Sequence, residues 1–365
     1  MPLAMVLTEP GRIEAQERAR RALEPYEARV AVRVAGVCGT DLAIWSGGYR
    51  VPLPLVLGHE WAGQVIEVGA GGPANLAGRR VTAEINNTCY ALGIEPHCDP
   101  AHRCLPTHCR ARTVTGIVAW DGAFQREIIV PWRAIHVLPD DFSDEEGALI
   151  EPLAAALQTF ELSPAGAGDF VVVLGAGRLG ALIALVAKAR GAQTIVTTRD
   201  LHRAEILREM GLEVFMIPCE QPGNKVGENK PFRVESPDPL APASSPLLDL
   251  VLERTGGLGA DLVAEATGAP EGLALAFDLV RPRGVVALKS TPGQPVRDFP
   301  LTRFVVNEIR IQGSRCGPFD KAIEFQLRHR LPLQRFIQGE FPLERLGEAF
   351  EAACNAPGKI LVRVG

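Results

Sequence analysis

Apolar and polar side chains alternate along residues 29–34 (Arg-Val-Ala-Val-Arg-Val), and residues 63–68 (Gly-Gln-Val-Ile-Glu-Val) are similar. A period of two sends successive side chains to opposite faces, so both runs predict strands. Short valine-rich runs broken by Gly and Pro recur through residues 1–148 and predict a β-rich unit. Within it, residues 86–115 carry Pro96, Pro100 and Pro106 with little periodicity, which predicts a loop-like lobe. From residue 169 the pattern changes. Phe170-Val-Val-Val-Leu174 is continuously apolar, as in a strand covered on both faces. A glycine turn follows, then a helical stretch at 181–190, a strand at 194–198 and a helix at 201–210 ended by Gly211. Further segments follow at 262–266, 273–280 and 284–288. Strand and helix in alternation predict an open, doubly wound parallel α/β sheet. Residues 218–246, dense in Pro, Ser, Asn and charge, are expected to form an inserted surface loop. Residues 319–328 predict a helix and 359–364 a closing strand.

The glycine turn carries the first candidate chemistry. Gly175-Ala-Gly-Arg-Leu-Gly180, with Leu179 inside it, fits G-x-G-x-x-G between a predicted strand and a predicted helix. Gly175 permits the tight turn, Gly177 lets backbone approach a pyrophosphate, and Gly180 lets helix and strand pack closely. The helix start then offers free amides and a positive dipole end to phosphate. At the end of the second strand, an NAD binder places a carboxylate on the ribose hydroxyls. Here that register falls on Thr198 and Arg199, with Asp200 next and Arg203 a short step on. Thr and Arg donate to a 2′-phosphate, so NADP is the expected cofactor. The competing reading has Asp200 on the ribose and NAD bound.

Composition narrows the class. The chain has 365 residues, 47% hydrophobic and 22% charged, a net charge of −5 and a pI near 5.9. That fits a soluble protein of about two domains and gives no support to a generally basic nucleic-acid surface. No apolar run nears the roughly 18 residues of a membrane span, and the first residues lack a secretory pattern. A cytoplasmic setting is expected, where thiols stay reduced and clustered cysteines suggest metal ligands. Of eight cysteines, Cys89, Cys98, Cys104 and Cys109 fall within 21 residues. Four thiolates that close can wrap one tetrahedral zinc, and neighbouring His97, His102 and His108 are potential substitutes. A lobe without metal is the alternative.

Two further segments, Gly36-Val-Cys-Gly-Thr-Asp41 and Gly58-His-Glu60, together with Ile150-Glu-Pro152, supply Cys, His and Glu, all good zinc ligands. With the glycine turn, Glu265-Ala-Thr-Gly268 and Gly313-Ser-Arg315, these residues make the chain resemble the zinc-containing medium-chain alcohol dehydrogenases over nearly its whole length. Glu151-Pro-Leu153 resembles the polyol and threonine dehydrogenase branch. The resemblance implies a GroES-like catalytic domain from residues 1–148 and 316–365, with a Rossmann domain, 149–315, inserted. It implies that Cys38 and His59 ligate a catalytic zinc, and that Glu60 and Glu151 ligate it or hold its water. Thr40 would take the substrate proton, and Thr267 would face the nicotinamide. Homodimers or homotetramers are implied too, through the segment after residue 288 that includes Val305 and Val306.

Two departures stand out. Relatives often carry a proton-relaying histidine five residues after the catalytic cysteine, where this chain has Ala43. Their structural cysteines follow C-x2-C-x2-C-x7-C, whereas the spacing here is x8, x5 and x4. The leading expectation is a zinc-dependent, NADP-preferring dehydrogenase of a secondary alcohol, polyol or sugar-like substrate. A carbonyl or enone reductase of the same fold and a non-catalytic NADP(H)- and metal-holding sensor are the alternatives. A small-molecule alcohol or carbonyl is the expected partner, with no nucleic acid and no membrane.

Overall fold

The structure, a computed structural model, describes residues 1–94, 106–218, 238, 241–290, 295–296 and 299–365. The chain forms two compact units, one of Met1–Ala154 with Pro318–Gly365 and one of Ala155–Gly317. The first division falls inside helix α3 (Ile150–Leu162), so no loop marks it.

The first unit is β-rich. Its early strands are β1 (Leu3–Glu9), β2 (Arg12–Glu17), β3 (Glu27–Gly36), β4 (Leu55–Val56), β5 (Glu60–Val68) and β6 (Arg80–Ala83). Then come β7 (Asn86–Asn87), β8 (Thr113–Thr115), β9 (Ala119–Trp120), β10 (Glu127–Pro131) and β11 (Ile135–Val137). The late chain returns β18 (Ile337–Pro342) and β19 (Lys359–Arg363) to the same unit. A seven-stranded sheet runs β11-β6-β5-β3-β19-β18, with β10 also on β3. The alternation read in β3 holds over residues 30–34 but not at Arg29, which is buried with its Nε on Glu67. Val30, Val32 and Val34 are buried, while Ala31 and Arg33 are partly exposed. β19 pairs antiparallel with β3, setting Leu361 against Gly36. Apolar faces close over Trp61, Phe124 and Phe350, the last two edge to face at 5.5 Å. Helices α1 (Gly39–Trp45), α2 (Asp144–Ala148), α9 (Phe319–His329) and α10 (Leu346–Asn355) complete it.

The second unit holds six parallel strands, β12 (Phe170–Leu174), β13 (Gln193–Thr198), β14 (Glu213–Met216), β15 (Ala260–Glu265), β16 (Val280–Leu288) and β17 (Arg310–Gly313). Their order is β14-β13-β12-β15-β16-β17. This is the 3-2-1-4-5-6 order of the Rossmann fold, with the topological switch between β12 and β15. Every residue of β12 is buried, as its apolar run requires. Helices α4 (Arg178–Ala189), α5 (Leu201–Glu209), α6 (Pro246–Arg254), α7 (Pro270–Leu279) and α8 (Leu301–Val306) connect the strands.

Several local readings change. α4 starts at Arg178, inside the glycine motif, because Gly177 is its N-cap. Within the expected 218–246 loop, the described residues near its end are partly built into the fold. Ala243 and Ser245 are buried, and Ser245 Oγ accepts from Leu248 N at 3.1 Å to cap α6, with Pro246 in the first turn. Residues 219–237 and 239–240 lie outside the described residues. The lobe at 86–115 is flanked by a small sheet, β7-β8-β9, that its sequence did not announce. No helix among the described residues is long and apolar enough to cross a membrane.

Candidate metal centre and cofactor cleft

In the first unit, Asp41 organises two loops. It is fully buried in the first turn of α1, where its Oδ2 accepts from Cys38 N at 2.8 Å. Its Oδ1 accepts from Gly58 N at 3.2 Å and lies 3.3 Å from His59 Nδ1. One carboxylate thus fixes both segments that carry Cys38 and His59. Gly58 has φ +97°, and a Cβ there would meet the Phe124 ring at 3.1 Å, so the turn before His59 requires glycine.

Ligand atoms of Cys38, His59 and Glu60 all lie within 4.8 Å of one another. His59 is buried, and Nδ1 facing Asp41 leaves Nε2 to meet an ion, the arrangement in which a carboxylate orients a metal-ligating imidazole. Burial by itself lowers the His59 pKa. The charges of Asp41 and Cys38 outweigh it and hold the imidazolium well above its ordinary range. Glu60 accepts from Lys359 Nζ at 2.7 Å and 2.5 Å, and both residues are buried. Lys359 also donates to Val37 O at 3.3 Å. Glu151, buried at the start of α3, has its carboxyl pushed up to about 7, chiefly by burial, with the His59 charge opposing and Glu60 reinforcing. Three carboxyls, Asp41, Glu60 and Glu151, are buried around His59 and Lys359, and a divalent cation suits a buried site so rich in acceptors. The donor set of thiol, imidazole and carboxylate fits zinc. Thr40 Oγ1 stands 3.8 Å from Cys38 Sγ.

In the lobe, Cys89 and Cys109 are buried together, and Cys89 N donates to Cys109 Sγ at 3.5 Å. Cys98 and Cys104 lie outside the described residues, as do His97 and His102.

In the second unit a cleft of about 670 Å³ opens at the carboxyl ends of β12, β13 and β15. Gly175, Gly177, Thr198, Arg199, Arg203 and Thr267 all line it. Leu179 and Gly180 do not; they sit in the first turn of α4. A Cβ on Gly180 would fall 1.9 Å from Gly175 O, which is why helix and turn approach so closely. A Cβ on Gly177 would meet nothing within 4 Å, so the space over this N-terminus is open, and α4 has no side-chain cap. Open amides beside a cleft fit a pyrophosphate. Thr197 Oγ1 accepts from Gly175 N at 3.0 Å and braces the turn. Asp200 Oδ1 accepts from Arg203 N at 2.8 Å, capping α5, and Thr198 Oγ1 accepts from Asp200 N at 3.1 Å.

Sequence reading missed Asp41 as an organiser, although its place three residues after Cys38 is the N3 position of a capped helix. It also missed Lys359, for which no local signal exists 299 residues from Glu60.

One unit with a parallel sheet of Rossmann order and another with a thiol–imidazole–carboxylate cluster together define a metal-dependent dehydrogenase class, and comparisons with known proteins agree. Residues 24–140 match the alcohol dehydrogenase GroES-like domain, and residues 179–328 match the zinc-binding dehydrogenase family. A 2-dehydro-3-deoxy-L-galactonate 5-dehydrogenase of Pseudoalteromonas atlantica is 32% identical over 332 residues, covering 89% of this chain and 87% of its own. A sorbitol dehydrogenase of Halalkalibacterium halodurans is 28% identical, covering 94% and 92%. Among solved structures, a zinc-binding dehydrogenase of Sinorhizobium meliloti 1021 bound to NADP is 26% identical with a TM-score of 0.81, covering 100% of this chain and 99% of that one. The chain belongs to the zinc-containing medium-chain alcohol dehydrogenase superfamily.

Proposed function

We propose that this protein moves hydride between a secondary alcohol, polyol or sugar-like substrate and NADP(H), with zinc held by Cys38, His59 and Glu60 or Glu151. The observation that carries the reading is the cluster of half-buried Cys38 with buried His59 and Glu60, oriented by Asp41. Zinc supplies Lewis acidity that stabilises negative charge on a substrate oxygen, and the nicotinamide supplies the hydride acceptor or donor. The chain's own groups do the rest. Thr40 Oγ1, beside Cys38, is the proposed first acceptor of the substrate hydroxyl proton. Glu60, held by Lys359, and the buried Glu151 are proposed to offer carboxyl oxygens to a hydroxyl-rich substrate. Ala43 leaves no imidazole at the usual relay position, so the proton leaves Thr40 by another route.

The NADP preference is supported by Asp200. It lines the cleft together with Arg199 and Arg203, but its Oδ1 is taken up by Arg203 N in capping α5, and the two guanidinium groups favour a 2′-phosphate. The polyol-type substrate is supported by the relatives named above, which act on sorbitol and a sugar acid by their names. Cys89, Cys98, Cys104 and Cys109 are the proposed ligands of a second, structural zinc. The exposed Leu301, Val305 and Val306 of α8 are proposed to meet a second copy of the chain.

Elemental analysis with a screen of polyols and sugars against NADP and NAD tests the proposal. One or two zinc ions per chain are expected, and Cys38→Ala should lose one of them. Its kcat/KM should fall by at least about a thousandfold, as removal of several kcal/mol of charge stabilisation requires. Undiminished turnover by a zinc-free protein sinks the mechanism. Arg199→Ala with Arg203→Ala should raise KM for NADP by about tenfold or more and leave NAD nearly unchanged. A wild type that prefers NAD overturns the cofactor choice.

A further inference from the structure

Glu265 closes β15 and is 3% exposed. Its Oε1 accepts from Thr267 N at 2.7 Å and from Thr267 Oγ1, and its Oε2 accepts from Ser290 Oγ, two residues beyond β16. Both hydroxyls are used again. Ser290 Oγ accepts from Gly268 N at 3.0 Å, and Thr267 Oγ1 accepts from Ala269 N at 3.0 Å. Three consecutive amides, 267 to 269, are therefore satisfied by one carboxylate, directly or through one hydroxyl. α7 comes close because residue 272 is glycine. A Cβ there would lie 2.3 Å from Thr267 Oγ1 and 2.6 Å from Glu265 Oε1.

Loop amides at a strand end ordinarily make an anion site. Here they are turned inward, so this wall of the cleft offers no amide to a phosphate. The uncapped N-terminus of α4 at Gly177 is the contrasting wall. In a sheet of this order the two halves of a dinucleotide lie on either side of the switch between β12 and β15. The Thr198–Arg203 wall belongs to the adenosine half, and Thr267 and Ala269 line the other side. We propose that Glu265 is a positioning residue that locks the 267–269 loop, through Thr267 and Ser290, into the shape that receives the nicotinamide–ribose end of the cofactor, beyond the pyrophosphate. Glu265 does not itself line the cleft. The inference rests on the cofactor reading above.

Two ligands separate the halves. NADPH carries both, and adenosine 2′,5′-bisphosphate carries only the adenosine side. Binding of each to the purified full-length protein would be measured by fluorescence and calorimetry. Glu265→Ala should weaken NADPH by about tenfold, the scale of one or two lost hydrogen bonds, and leave the bisphosphate within about twofold. Glu265→Gln keeps an acceptor for Thr267 and should recover most of the loss. Ser290→Ala, a milder cut of the same network, should show the same selectivity at about threefold and serves if Glu265→Ala does not fold. Equal weakening of both ligands in these variants would reveal a merely structural role and overturn the inference, as would no change in either. A wild type that binds neither ligand fails earlier. It removes the cofactor reading, and this inference with it.

Discussion

Two glycines of one motif separate stability from binding at the level of single residues. Gly180→Ala drives a Cβ into Gly175 O and should cost about 1–3 kcal/mol, read as a lower thermal midpoint. Gly177→Ala meets only open space at φ −67°, so its midpoint should stay within about 0.5 kcal/mol of wild type while NADPH binding falls by about tenfold. A Gly177→Ala protein that binds NADPH normally would show that no phosphate approaches that backbone. Lys359→Met strands the buried Glu60 charge and should cost about 3–5 kcal/mol in urea denaturation of the metal-stripped protein. Adding Glu60→Gln should return much of that loss. If the double variant is no better than the single one, the pair is not what the lysine serves. Chemistry-bearing residues were legible where a short motif holds them, as in His59-Glu60 and Gly175 to Gly180, whereas Asp41 was missed as an organiser although Cys38 stands only three residues before it. Lys359 was not legible, because its partner is brought by sheet pairing and nothing near it in the chain signals a buried charge.

Elements were legible in proportion to how far one periodicity ran. β3 and β12 announced themselves by alternation and by an unbroken apolar run. α3 and α10 did not, and α6 was hidden by its neighbourhood, although Ser245-Pro246 is a start signal. The short α2 depends on its ends. Ser143 caps it by accepting from Glu146 N at 3.1 Å, and Glu145 reaches Arg363 on β19. Burial pushes the Glu145 pKa up, but the Ser143 hydroxyl, backbone and Arg363 together bring it below the ordinary carboxylate range. A folded-state pKa below the unfolded one adds stability above the ordinary carboxylate pKa and loses it as pH falls. Glu145→Gln should therefore cost about 0.5 kcal/mol at pH 7, given its partial exposure. The gap from wild type should close below about pH 4. A gap that persists in acid would mean packing rather than charge.

At the scale of the whole molecule, two units read correctly as classes, a β-rich one and a parallel α/β one. The strand order that defines the second was not in the pattern, since periodicity says which segments are strands and not which are neighbours. The first unit is assembled from both ends of the described chain. Only the resemblance had suggested this. A homo-oligomer through α8 has a direct check. Sedimentation velocity should give an assembly larger than one 39.2 kDa chain, and Val305→Asp with Val306→Asp should shift it toward the monomer. A monomeric wild type overturns that partner.

The Glu60–Lys359 pair also sets an order of events during translation. Glu60 leaves the ribosome 299 residues before its counter-charge. At ordinary elongation rates that is a wait of roughly 15–60 s. Throughout it, the strand that should fill the gap between β3 and β18 does not yet exist, while the whole Ala155–Gly317 unit emerges and can fold. The Ala155–Gly317 unit can therefore mature on the nascent chain, and the pocket around Glu60 is closed only after that unit has emerged.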